Sequence, residues 1–258
     1  MTGPQPGTDV PPVVEVDLGA GVRAGFSTRR GGVSRPPYDA LNLGYAVGDD
    51  PSAVDRNRAG LERWAGAAVA YATQVHGPGV VVLSQPPAPG TVSVGEADAL
   101  VSVSPDVAVA VLVADCVPLL LADPQAGVVA AVHAGRRGLV AGVVEAALAT
   151  MVEQGASVER LRAAIGPAIA GQSYEVPAAL QDEVASVLPR ARATTSWGTP
   201  ALDLPAGVAA VLDAAGVVHV THLARDTWTD PALFSFRRSQ RTGRFAGVVR
   251  PAAATDPR

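Results

Sequence analysis

The run VAVAVLVADCVPLLLAD (residues 107–123) is the most apolar part of the chain, and its interpretation sets the fold class. It approaches the length of a bilayer span. Asp115 and Pro118 sit in its middle, however, and its β-branched residues alternate or cluster, so it reads as buried strand and turn. A few residues on, VVAAV (128–132) repeats the pattern as another buried strand, followed by LVAGVVEAALATMV (139–152), which has helical character. Upstream, VVEVDLGAGVRAGFST (13–28) reads as two short strands around a glycine turn. In DPSAVDRNRAGLERW, Asp50 caps a helix over 50–65, Pro51 occupies its first turn, and Val54, Leu61 and Trp64 supply its apolar spacing. Further strands are expected at 69–73, around 81, at 161–165 and at 217–223, with helices at 178–188 and 201–214. The alternation of strands and helices, with edge segments that read as antiparallel, predicts an α/β fold. It is expected to be one domain with mixed parallel and antiparallel sheets over residues 13–252, between tails at 1–12 and 253–258.

Composition narrows the chemistry. All 20 basic residues are arginine, which excludes a lysine Schiff base or a lysine-bearing phosphate loop. An anionic substrate must then be held by arginine, backbone N–H groups or a metal. A net charge of −4 gives no sign of nucleic-acid binding, and the lone Cys116 cannot form an intrachain disulfide. The opening MTGPQPGTDVPP lacks the basic start and apolar core of a signal peptide, so a cytoplasmic protein with no membrane association is the expectation. Oligomeric state is not legible.

Three residues able to ligate a metal follow short strands: His76 in QVHG, Cys116 in ADC and His133 in AVHAG. Their separations are not those of a zinc finger. A thiolate and two imidazoles suit a catalytic zinc with one open position. The residues alone also allow Cys116 as a small buried hydrophobe, or a Cys116–His133 nucleophile and base. Asp98 and Asp115 are carboxylates that can orient an imidazole or handle a proton. HAGRRG (133–138) offers glycine turns before a helix expected near Leu139, an anion site to which Arg137, and also Arg136, can add charge. Arg29 and Asn42 in STRRGGVSRPPYDALNLG, Tyr174 and Glu175 in GPAIAGQSYEVP, and Arg237, Arg238 and Arg244 in FSFRRSQRTGR complete the candidates for substrate or phosphate contacts. His219 and His222, three apart in a strand, face opposite sides and are read as packing or surface residues.

These loops, together with VGDD followed by NR, EADALV and ADCVPLLLAD, resemble in their order the laccase-domain family, also called multicopper polyphenol oxidoreductase-like proteins. The resemblance runs from about Gly25 to Val249. It implies a laccase-domain fold, also described as cytotoxic-necrotizing-factor-like, and a metal at His76, Cys116 and His133. It also implies zinc-dependent phosphorolysis of adenosine, inosine, guanosine or methylthioadenosine, with hydrolytic deamination of adenosine as a further activity. Its partners are then a purine nucleoside and inorganic phosphate. The alternatives are a zinc or cysteine-dependent hydrolase, a copper (Cu2+) polyphenol oxidase, or a non-enzymatic nucleoside-binding member. Four histidines cannot supply the ligands of a multicopper oxidase. The chain departs from the family pattern at Arg136, where a tryptophan is common, at Ala170, and at Asp226–Thr227.

Overall fold

The computed structural model describes residues 10–252. The tails assigned to 1–12 and 253–258 lie outside the described residues, apart from 10–12. In chain order, β1 (Val13–Glu15), β2 (Arg23–Ser27) and α1 (Pro51–Ala65) precede β3 (Ala68–Ala70), β4 (Val80–Leu83) and β5 (Ala99–Ser102). Then come β6 (Val107–Val113), β7 (Val117–Asp123), β8 (Val128–Ala134), α2 (Arg136–Val140), α3 (Val143–Glu153) and β9 (Arg162–Ile165). The chain continues through α4 (Ala178–Val187), β10 (Arg192–Thr194), β11 (Pro200–Leu202), α5 (Leu204–Ala214), β12 (His219–His222), α6 (Phe236–Ser239) and β13 (Phe245–Arg250).

The strands form a five-stranded sheet, β1-β2-β13-β6-β3, a six-stranded sheet, β12-β9-β7-β8-β5-β4, and a small hairpin of β10 and β11. Side-chain alternation along the apolar runs explains the stacking. Val107, Val109 and Val111 of β6 meet Leu120 and Ala122 of β7 and Val129 and Ala131 of β8 in a core between the two sheets. The intervening Ala108 and Ala110 face Leu61 and Trp64 of α1. Leu119 and Leu121, with Val128, Ala130 and Val132, face a layer that includes α3 and α5. The result is helix, sheet, sheet, helix. Both faces of β7 and β8 are therefore covered, which is why these strands, Asp123 and His133 excepted, are apolar at successive rather than alternate positions. Each fully buried leucine contributes about 1.5–3 kcal/mol.

Several expectations meet a local physical reason to differ. The helix expected over 139–152 is two helices, because Gly142 adopts φ 85° and redirects the chain after a single turn of α2. That first helix starts at Arg136, with Gly135 as its N-cap, not near Leu139. The helix expected from 201 starts at Leu204, because Asp203 caps it by accepting the Ala206 N–H. At the edges of the two large sheets, antiparallel pairing holds for β1, whereas β3, β4 and β12 join their neighbours in parallel, each through a long crossover. Helix α1 forms as expected, with the Asp50 carboxylate accepting the Ser52 N–H.

At the end of β7 the buried Asp123 carboxylate accepts the N–H groups of Gln125, Ala126 and Ser157, and Arg160 Nη2 lies 2.7 Å from it. Burial pushes its pKa up, but Arg160 and the backbone donors outweigh this and hold it below the ordinary carboxylate value. A depressed folded-state pKa stabilises the protein above the unfolded value of 3.8 and loses that stabilisation as pH falls through the folded value. Asp123→Asn is therefore expected to cost about 2–3 kcal/mol at pH 7. The wild-type and variant stabilities should converge in acid. Urea denaturation across pH checks this, and parallel curves would count against it.

Candidate metal centre

His76 lies in the loop between β3 and β4, which Gln74 pins to β6: its Nε2 donates to the Leu112 carbonyl and its Oε1 accepts the Leu112 N–H. Cys116 occupies the tight connection between β6 and β7. His133 lies near the end of β8, directly opposite Pro118 of β7. The sheet thus brings three distant residues together, with their ligand atoms all within 4.8 Å of one another. Cys116 Sγ is 3.8 Å from His76 Nε2, and the two imidazoles meet edge to face at 4.7 Å. Gly135 lies against this cluster. A Cβ there would stand 2.6 Å from His76 Cδ2 and 3.1 Å from Cys116 Sγ, so only glycine leaves the ligands room.

Asp98, buried just before β5, organises two of the ligands. One oxygen accepts the His76 N–H at 2.9 Å and His133 Nδ1 at 2.7 Å; the other accepts the N–H groups of Val75 and Gly77. With Nδ1 so engaged, Nε2 is the His133 nitrogen left free to hold a metal ion. Burial alone raises the Cys116 thiol, but the neighbouring His133 and His76 rings pull it well down, toward thiolate. His133 moves the opposite way, raised by Cys116 and Asp98 against its burial. A soft thiolate with two imidazoles, one oriented by a carboxylate, fits a metal ion of the zinc or copper type.

Two clefts meet at Cys116. The first, about 540 Å³, reaches all three ligands and is walled by Tyr45, Arg58, Gln74 and Arg244. The second, about 610 Å³, is lined by Asp115, Ile169, Tyr174, Leu204, Arg237 and Gln240. Phe236 and Ala114 border both. Among the described residues, the non-glycine residues with positive φ are His76, Asp115 and Gln240, at 60°, 100° and 39°. All three line these clefts, and each such conformation costs about 1–3 kcal/mol.

The expected site residues are distributed unevenly. Asp115 faces the second cleft, where its carboxylate accepts the Thr227 hydroxyl and the Arg237 N–H. The Arg237 guanidinium stacks 4.9 Å from the Tyr174 ring centroid. Arg137 is exposed on α2 and lines neither cleft. Arg29 is paired with Asp39 in a separate depression, and Arg238 donates to the carbonyls of Thr227, Trp228, Asp230 and Leu233. Asn42 is buried, holding Gly44 and the Arg244 N–H. Arg136 contributes positive charge beside the Tyr174 hydroxyl, whose pKa is raised by burial and by Cys116. His219 and His222 are exposed on the edge strand β12. Arg58, Tyr45, Gln74, Phe236 and Gln240 complete the clefts. Arg58 lies in the NR after VGDD, Gln74 in QVHG, and Phe236 and Gln240 in FSFRRSQRTGR, but none of the five stands out in the sequence as a site residue.

A family model described as multi-copper polyphenol oxidoreductase laccase matches residues 23–251. The chain belongs to this laccase family. It is 48% identical over 231 residues to a protein of Mycobacterium tuberculosis named purine nucleoside phosphorylase, covering 88% of this chain and 91% of the relative. A Streptomyces coelicolor protein of the same name is 50% identical over 232 residues, covering 89% and 95%. Among solved structures, YlmD from Geobacillus stearothermophilus superposes with a TM-score of 0.83 at 31% identity, covering 91% of this chain and 93% of that one. A Neisseria meningitidis protein gives 0.83 at 35%, covering 93% and 98%. The mixed-sheet α/β domain is thus the laccase-family fold. No helix among the described residues is long and apolar enough to cross a membrane.

Proposed function

We propose that this protein is a cytoplasmic zinc-dependent purine nucleoside phosphorylase acting on adenosine, inosine, guanosine or methylthioadenosine. The observation that carries this reading is the His76, Cys116 and His133 cluster at the meeting point of two clefts that both carry arginine and aromatic side chains. The names of the relatives support the same reaction. In phosphorolysis a phosphate oxygen bonds to C1′ of the sugar as the C1′–N9 bond breaks, and N9 keeps the electron pair, leaving free base and sugar 1-phosphate. Zinc held by the three ligands supplies a Lewis acid for charge developing on the substrate.

The protein's own groups divide the remaining tasks. Ile169, Leu204, Phe236 and Tyr174 offer apolar and aromatic faces on which a planar purine can lie. Arg237, fixed over Tyr174, supplies charge at its edge. Asp115 is the carboxylate positioned to take or return a proton beside the ligands, which also suits the second expected activity, replacement of the adenosine amino group by water. Asp98 and Asn42 act as positioning residues.

The family description favours a copper oxidase as the second reading. Only His76 and His133 of the four histidines join the cluster, however, so the chain supplies one mononuclear site rather than a multicopper array. The test is incubation of pure zinc-loaded protein with inosine at varied phosphate. Hypoxanthine and ribose 1-phosphate should appear in equal amounts, at a rate that rises with phosphate. Base release independent of phosphate would mark a hydrolase, and absence of release at every pH and phosphate concentration would end the reading.

A further inference from the structure

We propose that Arg58 and Arg244 form an oxyanion subsite in the first cleft that holds inorganic phosphate beside the metal ligands. The assignment of phosphate as occupant rests on the phosphorylase reading above; the subsite itself rests on how these two arginines are set in the fold.

Arg23, Arg29, Arg160, Arg192 and Arg225 are each ion-paired to a carboxylate. Arg58 and Arg244 are not, among the described residues, although both are half-buried and both line the cleft that reaches His76, Cys116 and His133. Each is instead immobilised by neutral groups. Arg58 Nε donates to the Leu43 carbonyl and Nη1 to that of Val92, while its guanidinium lies 3.8 Å from the Tyr71 ring centroid and 4.4 Å from that of Tyr45. Arg244 Nη1 donates to the carbonyls of Thr242 and Gly243, and its guanidinium lies 5.8 Å from the Phe236 centroid. Burial pulls both guanidiniums down from their ordinary value, and arginine nevertheless stays charged.

Two partly desolvated cations with no carboxylate at ion-pairing distance among the described residues carry an electrostatic cost that a bound oxyanion offsets. Asp55 and Glu62 act on Arg58, and Asp115 on Arg244, only from further off. In both, the Nη2 donors have no hydrogen-bond partner among the described residues and are available to a ligand. The surroundings preserve this arrangement. Asn42 Oδ1 accepts the N–H groups of both Gly44 and Arg244, tying the two cleft walls together. A Cβ on Gly44 would come within 3.0 Å of Arg244 Cγ, so the glycine lets that side chain pass. The second cleft differs in that its one lining arginine, Arg237, is exposed rather than half-buried, although its guanidinium is likewise held by neutral groups, Tyr174 and the Glu175 carbonyl. The subsite thus assigns phosphate to the first cleft, where two half-buried arginines stand, and leaves the second cleft to the nucleoside.

Isothermal titration of the zinc-loaded full chain with inorganic phosphate, and separately with inosine and inosine 5′-monophosphate, tests this without turnover. Arg58→Gln and Arg244→Gln should each weaken phosphate binding about tenfold or more. Inosine affinity and zinc content should stay at the wild-type level, and Arg244→Lys should recover part of the loss. Because Arg58 packs between two tyrosines, Arg244→Gln carries the test if Arg58→Gln fails to fold. Phosphate affinity unchanged in Arg244→Gln overturns the proposal, as does a loss of inosine affinity instead. Tighter, Arg244-dependent binding of the monophosphate than of phosphate overturns the assignment to free phosphate. Phosphate binding that depends on Arg244 in a protein that releases no base leaves the subsite standing and removes the phosphorylase reading.

Discussion

Cys116→Ser is expected to abolish stoichiometric zinc binding while leaving the fold intact. The thiol is the one ligand here that contributes negative charge, and its neighbours already draw it toward thiolate. A serine hydroxyl stays protonated at neutral pH, so two neutral imidazoles would remain. Loss of a partner that merely orients a ligand costs about 10–100-fold in affinity. Loss of the ligand itself should exceed that, with a fall of more than about 100-fold. The fold should survive, because the side chain is only half-buried and serine matches it in shape; a cost within about 1 kcal/mol is expected. Zinc content after dialysis, competition with a chromophoric chelator and far-ultraviolet circular dichroism together read the outcome. Wild-type stoichiometry and affinity in a folded variant would remove Cys116 from the ligand set, and with it the argument for a metal at the meeting of the clefts.

The fold was legible where local pattern and burial agree. Asp50 and Pro51 start α1 because capping chemistry is local. The apolar runs of β6, β7 and β8 announce burial on both faces, since no position is left for solvent. The pairing direction of β3, β4 and β12 was not legible, because it depends on crossovers whose course no periodicity encodes. The break at Gly142 was hidden for a related reason: glycine within a helical pattern signals a bend only when its φ is known.

The candidate site shows the same division. Histidine and cysteine at strand ends can be read as ligands, but convergence comes from β7 pairing with β8, which joins Cys116 and His133, and from Gln74 and Asp98, which bring the His76 loop to them. The arginines proved least legible, because their chemistry depends on their partners. Arg238 sits in a basic run beside an aromatic strand, yet four backbone carbonyls consume its donors. Arg58 sits in α1 among Asp55, Arg56 and Glu62, where helical spacing alone suggests a solvated face and only the NR after VGDD hints otherwise. Tyr45 and Tyr71, from neighbouring loops, are what turn it into a cleft wall. The two carboxylates flagged near the ligands also separate only in space: Asp115 opens onto the second cleft, whereas Asp98 is sealed behind the histidines.

Asp98 therefore carries the second large effect, and the isosteric Asp98→Asn isolates its cause. The native carboxylate accepts at both oxygens, His76 N–H and His133 Nδ1–H on one, Val75 N–H and Gly77 N–H on the other. An amide has one acceptor and one donor end. Turned one way, it keeps the two histidines and sets its NH2 against the Val75 and Gly77 donors. Turned the other way, it serves the loop and opposes the Nδ1–H of the buried His133. Neither orientation satisfies both sides, so the loop carrying His76 or the ring of His133 must move. Leaving such buried groups unpaired costs about 3–5 kcal/mol, and displacing a ligand's orienting partner lowers metal affinity about 10–100-fold. Denaturation of the metal-free variant reads the first quantity, and chelator competition reads the second. A stability loss with wild-type zinc affinity would confine Asp98 to holding the loop. Loss of both would mean that the same carboxylate builds the backbone conformation of His76 and sets the donor atom of His133, coupling the formation of the site to the folding of the strands that frame it.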